Sequence, residues 1–362
     1  MMKKFVKLTT TLALVALLGA CQQNGESARK NASEIQKENT VQNANTKASM
    51  GEGKTQYPLT IKTWGSDGSE LETVYTKSPE KVLAVYQGSI ETLLALGLED
   101  RIVAASGLDN AVPENQKAGF SKLNYLTEFA PSLEKATSLE PDMIFSWGSL
   151  FGEKTLGNAK DWVDKKVNIY VNSNTRRVKD GEKRISTLEN EYTDILNIGK
   201  IFDVQSKAEA IVKDMQDTIK KVIDKTKDMK EKPSVLVLEN EKDAFRNYGS
   251  NTLGGDMVTK LGGQLKNADV AKLGKEDLIA ANPDVIFVVY MPYEGDDAEK
   301  VKQENLDKIL KDESLASLNA IKNKRVVPIF LSEMYASATR TKDGIISFAK
   351  GLYPSIDLGM DK

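Results

Sequence analysis

Apolar residues along this chain fall into three spacings, and each predicts a different element. Unbroken runs at Lys81-Val82-Leu83-Ala84-Val85-Tyr86, Met143-Ile144-Phe145, Val167 to Val171, Ser234 to Leu238 and Val285-Ile286-Phe287 read as buried strands. A strand covered on both faces of a parallel sheet needs no polar side. Arg101 to Ala105 reads as one more. Alternation in Leu59-Thr60-Ile61-Lys62 and Leu71 to Tyr75, either side of Gly65-Ser66-Asp67-Gly68, predicts a β-hairpin. Helical spacing fills Ile185 to Lys230, with a break near Phe202-Asp203, and returns from about Lys342 to Leu352.

Two phrases recur. Leu139-Glu140-Pro141-Asp142-Met143-Ile144-Phe145 is answered by Ala281-Asn282-Pro283-Asp284-Val285-Ile286-Phe287, each after a short helical stretch that the proline ends. Ser89-Ile90-Glu91-Thr92-Leu93-Leu94-Ala95-Leu96-Gly97 aligns without a gap on Gly254-Gly255-Asp256-Met257-Val258-Thr259-Lys260-Leu261-Gly262. Both read as short helices, the first beginning near Ser89, with one acid in the first turn and a glycine at the stop. A carboxylate there complements the helix dipole, worth about 0.3–1 kcal/mol, which by itself accounts for either acid. The expected fold class is α/β: two lobes with central, mainly parallel sheets, 57–184 and 233–362, joined by one long helical connection within 185–230.

The N-terminal stretch has another character. Lys3, Lys4 and Lys7 precede an apolar run, Leu8 to Leu18, too short to span a bilayer, and Leu18-Gly19-Ala20-Cys21 ends it with the single cysteine of the chain. Residues 1–20 read as a signal peptide. Residues 21–56 are rich in Gln, Asn, Ser, Glu and Lys, cannot bury enough apolar surface to offset their ordering entropy, and read as a flexible tether. Leu18-Gly19-Ala20-Cys21 resembles a bacterial lipobox, which implies cleavage before Cys21 and a lipid on its sulfur.

Composition then narrows the chemistry. The chain is 40% hydrophobic and 28% charged with a net charge of −2, so nothing favours nucleic acid as a partner. Histidine is absent, which removes the commonest general base, zinc ligand and haem ligand. There is no G-x-S-x-G and no phosphate loop, so no enzyme is expected. Ligands of open α/β sheets bind at the carboxyl ends of strands. That rule nominates Tyr86, Trp147, Asn174 and Arg176 in the first lobe, and Arg246, Tyr248, Tyr290, Tyr293, Tyr335 and Arg340 in the second. Tyr and Trp offer flat apolar walls with a polar handle, and arginine offers a rigid fork for anionic oxygens. Arg340, expected to work with Arg246, is the leading cation for an anionic ligand.

The set of motifs resembles the lipid-anchored solute-binding proteins of iron–siderophore, haem and cobalamin ABC importers. Its carriers are Ser78-Pro79-Glu80-Lys81-Val82-Leu83, Glu91 to Leu98, both Pro-Asp strands, Leu261-Gly262-Gly263 and Leu315 to Val326. The resemblance implies two lobes joined by one long helix, a ligand between them, and delivery to a permease with its ATPase. It implies that Glu91 and Asp256 are exposed acids that meet the permease, and that Arg340 sits where relatives often hold ligand. The expected ligand is an iron(III)–siderophore complex whose metal is held by the chelator, with no cofactor or protein-bound metal. Cobalamin or haem is the alternative. A lipid-anchored enzyme or an adhesin fits less well, and a monomer is expected, outside the cytoplasm and anchored through Cys21.

Overall fold

The structure is a computed structural model that describes residues 54–179, 181–293 and 295–360. The expected signal peptide, Cys21 and the tether up to residue 53 lie outside the described residues. The chain opens with the expected hairpin: β1 (Leu59–Trp64) pairs antiparallel with β2 (Glu70–Tyr75).

The first lobe is a four-stranded parallel sheet ordered β4-β3-β5-β6, from β3 (Val82–Val85), β4 (Ile102–Ser106), β5 (Met143–Ser146) and β6 (Asn168–Val171). The second contains β7 (Ser234–Asn240), β8 (Phe245–Asn247), β9 (Gln264–Leu265), β10 (Lys272–Leu273), β11 (Val285–Tyr290) and β12 (Val326–Phe330), ordered β10-β8-β7-β11-β12 with β9 also on β7. Its centre, β7-β11-β12, is parallel, and β8 and β10 add an antiparallel edge.

The period of two along these strands sorts their side chains. Val82, Ala84, Val235, Val237 and Phe287 join one core that extends through both lobes. Leu83, Val85 and Ile144 fill a separate cluster in the first lobe, and Leu236, Leu238 and Ile286 another in the second.

The helices among the described residues include α1 (Gln87–Ala95), α2 (Leu133–Ser138), α3 (Leu188–Ile201), α4 (Gln205–Thr226), α5 (Leu253–Lys260), α6 (Lys275–Ala281) and α7 (Thr341–Leu352). The connection is two helices, α3 of 14 residues and α4 of 22. They part at the expected break, where Asp203 is left-handed at φ 58°. Gly199 allows the close corner, since a Cβ there would lie 2.5 Å from that of Ala208. Thr55, in the stretch read as tether, is fastened at this corner. Its amide donates to Asp203 Oδ1 at 2.6 Å and its hydroxyl to the Lys200 carbonyl at 2.6 Å.

The repeated phrase builds the same joint twice. Asp142 accepts the amides of Glu80 and Lys81 at 2.8 and 2.9 Å, so it caps the entry to β3. Asp284 accepts the amide and hydroxyl of Ser234 at 2.8 and 2.7 Å, at the entry to β7. The residue before each proline, Glu140 or Asn282, is left-handed, at φ 47° and 38°. The two glycine stops also match. Leu98 N donates to Leu93 O at 2.9 Å, and Gly263 N to Val258 O at 2.9 Å, around left-handed Gly97 and Gly262. Each closes its helix in a Schellman turn.

Candidate functional site

The carboxyl ends of both sheets face one another, and the loops that leave them form a cleft with an aromatic cavity of about 130 Å³. Tyr86 and Trp147 from the first lobe and Tyr293 and Tyr335 from the second line it. Tyr86 is the pivot. It sits between β3 and α1 at φ 83°, a conformation disfavoured for a side chain of its size. Three contacts hold it there: its amide donates to Ser106 O at 2.8 Å, its ring lies 3.8 Å from that of Trp147, and its hydroxyl donates to Asp109. Burial, and then the Asp109 carboxylate, push its phenol well above the ordinary value, so it remains protonated. Gly107 makes room, since a Cβ there would meet Phe129 O at 2.7 Å.

A second, larger cavity of about 710 Å³ adjoins the first; Tyr290, Tyr125 and Phe330 are among its walls, and Tyr293 and Arg340 belong to both. Tyr290 stacks on Phe330 with centroids 5.5 Å apart. Asn110 ties the lobes beside the shared wall: its Nδ2 donates to Pro292 O at 3.0 Å, and its Oδ1 accepts from Ser332 Oγ at 2.6 Å.

Several expectations are corrected. Arg340 lines the cavity but is not free for a ligand. It is buried, and its Nε and Nη2 donate to Glu91 Oε2 and Oε1 at 2.7 and 2.5 Å. Nη2 also reaches Ala111 O at 2.7 Å. Glu91 is therefore not an exposed docking acid: it is 0% exposed, because α1 starts at Gln87, is buried from Gln87 to Leu94 and aims this carboxylate at the other lobe. Gln87 completes the network, with its Nε2 donating to Glu91 Oε1 at 2.5 Å and its Oε1 accepting from Asp109 N at 2.9 Å. Asp256 is half-buried rather than free, and its Oδ2 accepts the Leu188 amide at 2.8 Å.

Asn174, Tyr248 and Arg176 do not reach the cavity. Asn174 is buried, and its amide group staples Thr187, Asn190 and Glu191 through four hydrogen bonds. Tyr248 is fully buried, with its hydroxyl donating to Glu239 at 2.6 Å. Arg176 is drawn to a local acid, Glu182, at 2.9 Å, and its guanidinium lies 4.7 Å from the Trp64 ring. Arg246 stands apart from Arg340, over the rings of Tyr248 and Tyr335 at 4.7 and 5.6 Å. The sequence reading missed Asp109, Asn110 and Arg184. The strand-end rule, applied to the loop after β4, would have reached the first two. Arg184 lies in the long loop before α3 and carries no such signal.

Two α/β lobes on a helical connection, with a ligand-sized cleft between the strand ends, define a bilobed solute-binding protein. The chain belongs to the periplasmic binding protein family, whose model matches residues 82–329, from the first strand of one parallel sheet to the last of the other. Its relatives include an uncharacterized ABC transporter substrate-binding lipoprotein, YvrC, of Bacillus subtilis (strain 168), 24% identical over 86% of this chain and 91% of that one. The petrobactin-binding protein YclQ of the same organism is 23% identical over 93% of this chain and 94% of its own. Among solved structures, a periplasmic binding protein from Veillonella parvula DSM 2008 superposes with a TM-score of 0.75 at 30% identity, covering 83% of this chain and 93% of that one.

Proposed function

We propose that this extracytoplasmic substrate-binding protein of an ABC importer carries an iron(III)–siderophore complex in its interlobe cleft and delivers it to the permease. The observation that carries the proposal is the aromatic wall shared by both lobes, Tyr86 and Trp147 facing Tyr293 and Tyr335. Flat π-faces pack against the planar binding arms of a chelate, and phenols offer hydrogen bonds to its oxygens. Among the described residues no group of three or more acidic or cysteine side chains gathers to hold a metal, and the chain has no histidine. In this proposal iron arrives with its coordination filled by the chelator.

Size favours a ligand that reaches into the larger cavity. Ligand pockets usually enclose roughly 300–1,000 Å³. The aromatic cavity, about 130 Å³, lies below that range, and its neighbour, about 710 Å³, lies within it. A siderophore complex that spans both must part the Asn110 bridge.

The test is quenching of tryptophan emission by ferric siderophores, with haem and cobalamin alongside. A ferric siderophore should quench in the micromolar range or below, and Trp147→Phe should lose most of the signal. Haem or cobalamin binding without siderophore binding overturns the ligand, and quenching that persists in Trp147→Phe overturns the site. Cys21, outside the described residues, is proposed as the membrane anchor. Among the described residues no helix is long and apolar enough to cross a membrane. Cys21→Ala should therefore shift the protein from the washed membrane fraction to the medium, and retention on membranes would count against the lipid.

A further inference from the structure

The segment from Tyr335 to Arg340 supplies much of the second lobe's side of the aromatic cavity, where Tyr335, Ala336, Ser337 and Arg340 line it. Its backbone is unusual. Ala336 and Ala338 are both left-handed, at φ 51° and 48°, a conformation that is costly for a residue with a Cβ. Neither alanine has a polar side chain to offset this with a local hydrogen bond. Strain of this kind persists only where the surroundings impose it, and it gathers at binding sites.

A buried carboxyl group imposes it here. The Ala338 amide donates to Glu191 Oε2 at 2.6 Å, and both residues are 2% exposed. Glu191 lies on α3, the first helix of the connection, and its Oε1 accepts Asn174 Nδ2 at 2.5 Å. Asn174 is fixed in turn, since its Oδ1 accepts Thr187 N at 2.9 Å and Asn190 Nδ2 at 2.8 Å. The acceptor is thus aimed by the rigid connection, and the strained segment closes onto it. Without that oxygen the Ala338 amide would be buried with no acceptor, which is costly. Within the segment Tyr335 N donates to Ser337 Oγ at 3.0 Å, so these two cavity-lining residues are locked together and follow the backbone at Ala338.

We propose, on the footing that the cleft is the ligand site, that Glu191 is a positioning residue for its wall. Through the Ala338 amide it holds Tyr335 and Ser337 against the ligand, and the connection between the lobes thereby sets the shape of the cleft.

The experiment compares the mature native chain with Glu191→Gln, Glu191→Ala and the double variant Glu191→Ala/Ala338→Gly. Amide hydrogen exchange is read without ligand by mass spectrometry of peptides. Glu191→Ala should speed exchange across 335–340 roughly tenfold, while peptides from β3, β7 and β11 stay unchanged. The Trp147 ring lies 6.0 Å from that of Tyr335, and its buried Nε1 has no hydrogen-bond partner among the described residues. Its ligand-free emission, with Trp147→Phe as the blank, should therefore shift to the red as water enters. Affinity for an iron(III) tris-catecholate or tris-hydroxamate, whichever the native chain binds, should fall by about tenfold. Adding Ala338→Gly should return part of that affinity while exchange stays fast, because glycine takes the left-handed backbone without the carboxyl group. Glu191→Gln keeps the buried volume but offers one acceptor oxygen to two donors, so it should fall between native and alanine. It carries the test if the alanine chain does not fold. Exchange that rises equally in the strands makes Glu191 a general stabiliser and overturns the proposal. Unchanged exchange in 335–340, or unchanged affinity beside faster exchange, does the same. If neither chelate binds the native chain, the siderophore reading falls, and exchange and emission still decide the role of Glu191.

Discussion

Glu91 on α1 and Asp256 on α5 hold matching positions in the two lobes, each six residues before a left-handed glycine, Gly97 or Gly262. Their helices stop in the same turn, yet their carboxylates meet different partners. Glu91 is sealed from water and shares two hydrogen bonds with Arg340 of the other lobe. Asp256 is half-buried and caps a single amide, that of Leu188 at the start of α3. The helices differ in what covers them: α1 lies under the segment that carries Arg340, and α5 lies against the start of α3. The repeated carboxylate is thus a position the fold reuses, and its neighbours decide what it does. In both lobes that use is to fasten the connection between the halves, which is not the exposed docking role that the family resemblance implied.

The sharpest way to break this comparison is to remove each acid. Glu91→Ala leaves the Arg340 guanidinium buried without an anion, and should cost about 3–5 kcal/mol in urea unfolding. Replacing both partners by apolar residues of similar size should restore most of that. A loss at Glu91 no larger than at Asp256 would show that the buried pair carries no special load.

Acidity tests the same interface through a third carboxylate. Glu191 on α3 accepts Asn174 Nδ2 at 2.5 Å from the first lobe and the Ala338 amide at 2.6 Å from the second. Burial, and then the nearby Asp194 charge, push its carboxyl up from 4.5 to about 8. The folded state therefore keeps a proton that the unfolded chain has released, and stability falls as pH rises from about 4.5 through about 8. Glu191→Gln should flatten that slope, at up to about 1.4 kcal/mol per pH unit for one group. An equal slope in native chain and variant would remove Glu191 as its source. Asp284 runs the other way. Burial opposes its charge, but the amide and hydroxyl of Ser234 outweigh this and hold it below the usual carboxylate range. Its contribution is present above the unfolded value of about 3.8 and is lost as pH falls through the lower folded one.

The smallest expected effect is at Asp256. Asp256→Ala removes one acceptor from a helix start whose Thr187 cap remains, with Thr187 Oγ1 still accepting Asn190 N at 3.2 Å. A loss of about 1 kcal/mol is expected, and Asp256→Asn should recover part of it. A loss of several kcal/mol would make the two acids equivalent after all.

Much of the scaffold was legible because it is set by neighbours in sequence. The unbroken apolar runs became the central parallel strands, the alternating pair became the hairpin, and the helical segment broke at Phe202-Asp203 as its spacing indicated. The two Pro-Asp phrases became the same joint, since proline and a short carboxylate act on backbone a strand away in a fixed geometry. Side-chain destinations followed another rule. Tyr86, Trp147, Tyr293 and Tyr335 met in the cleft, whereas Asn174, Tyr248 and Arg176 found closer partners in their own surroundings. A strand end places a residue near the cleft but does not say whether a nearer acid or amide will claim it.

The sequence by itself determined the element types, their order, the duplicated plan and the absence of histidine chemistry, because each depends on spacing or composition. Only the tertiary structure decided that Arg340 meets a carboxylate and Arg184 a phenol. Glu91 and Arg340 are 249 residues apart and Arg184 and Tyr335 are 151. Which guanidinium meets a carboxylate depends on how two lobes close over each other, and no local pattern encodes that contact.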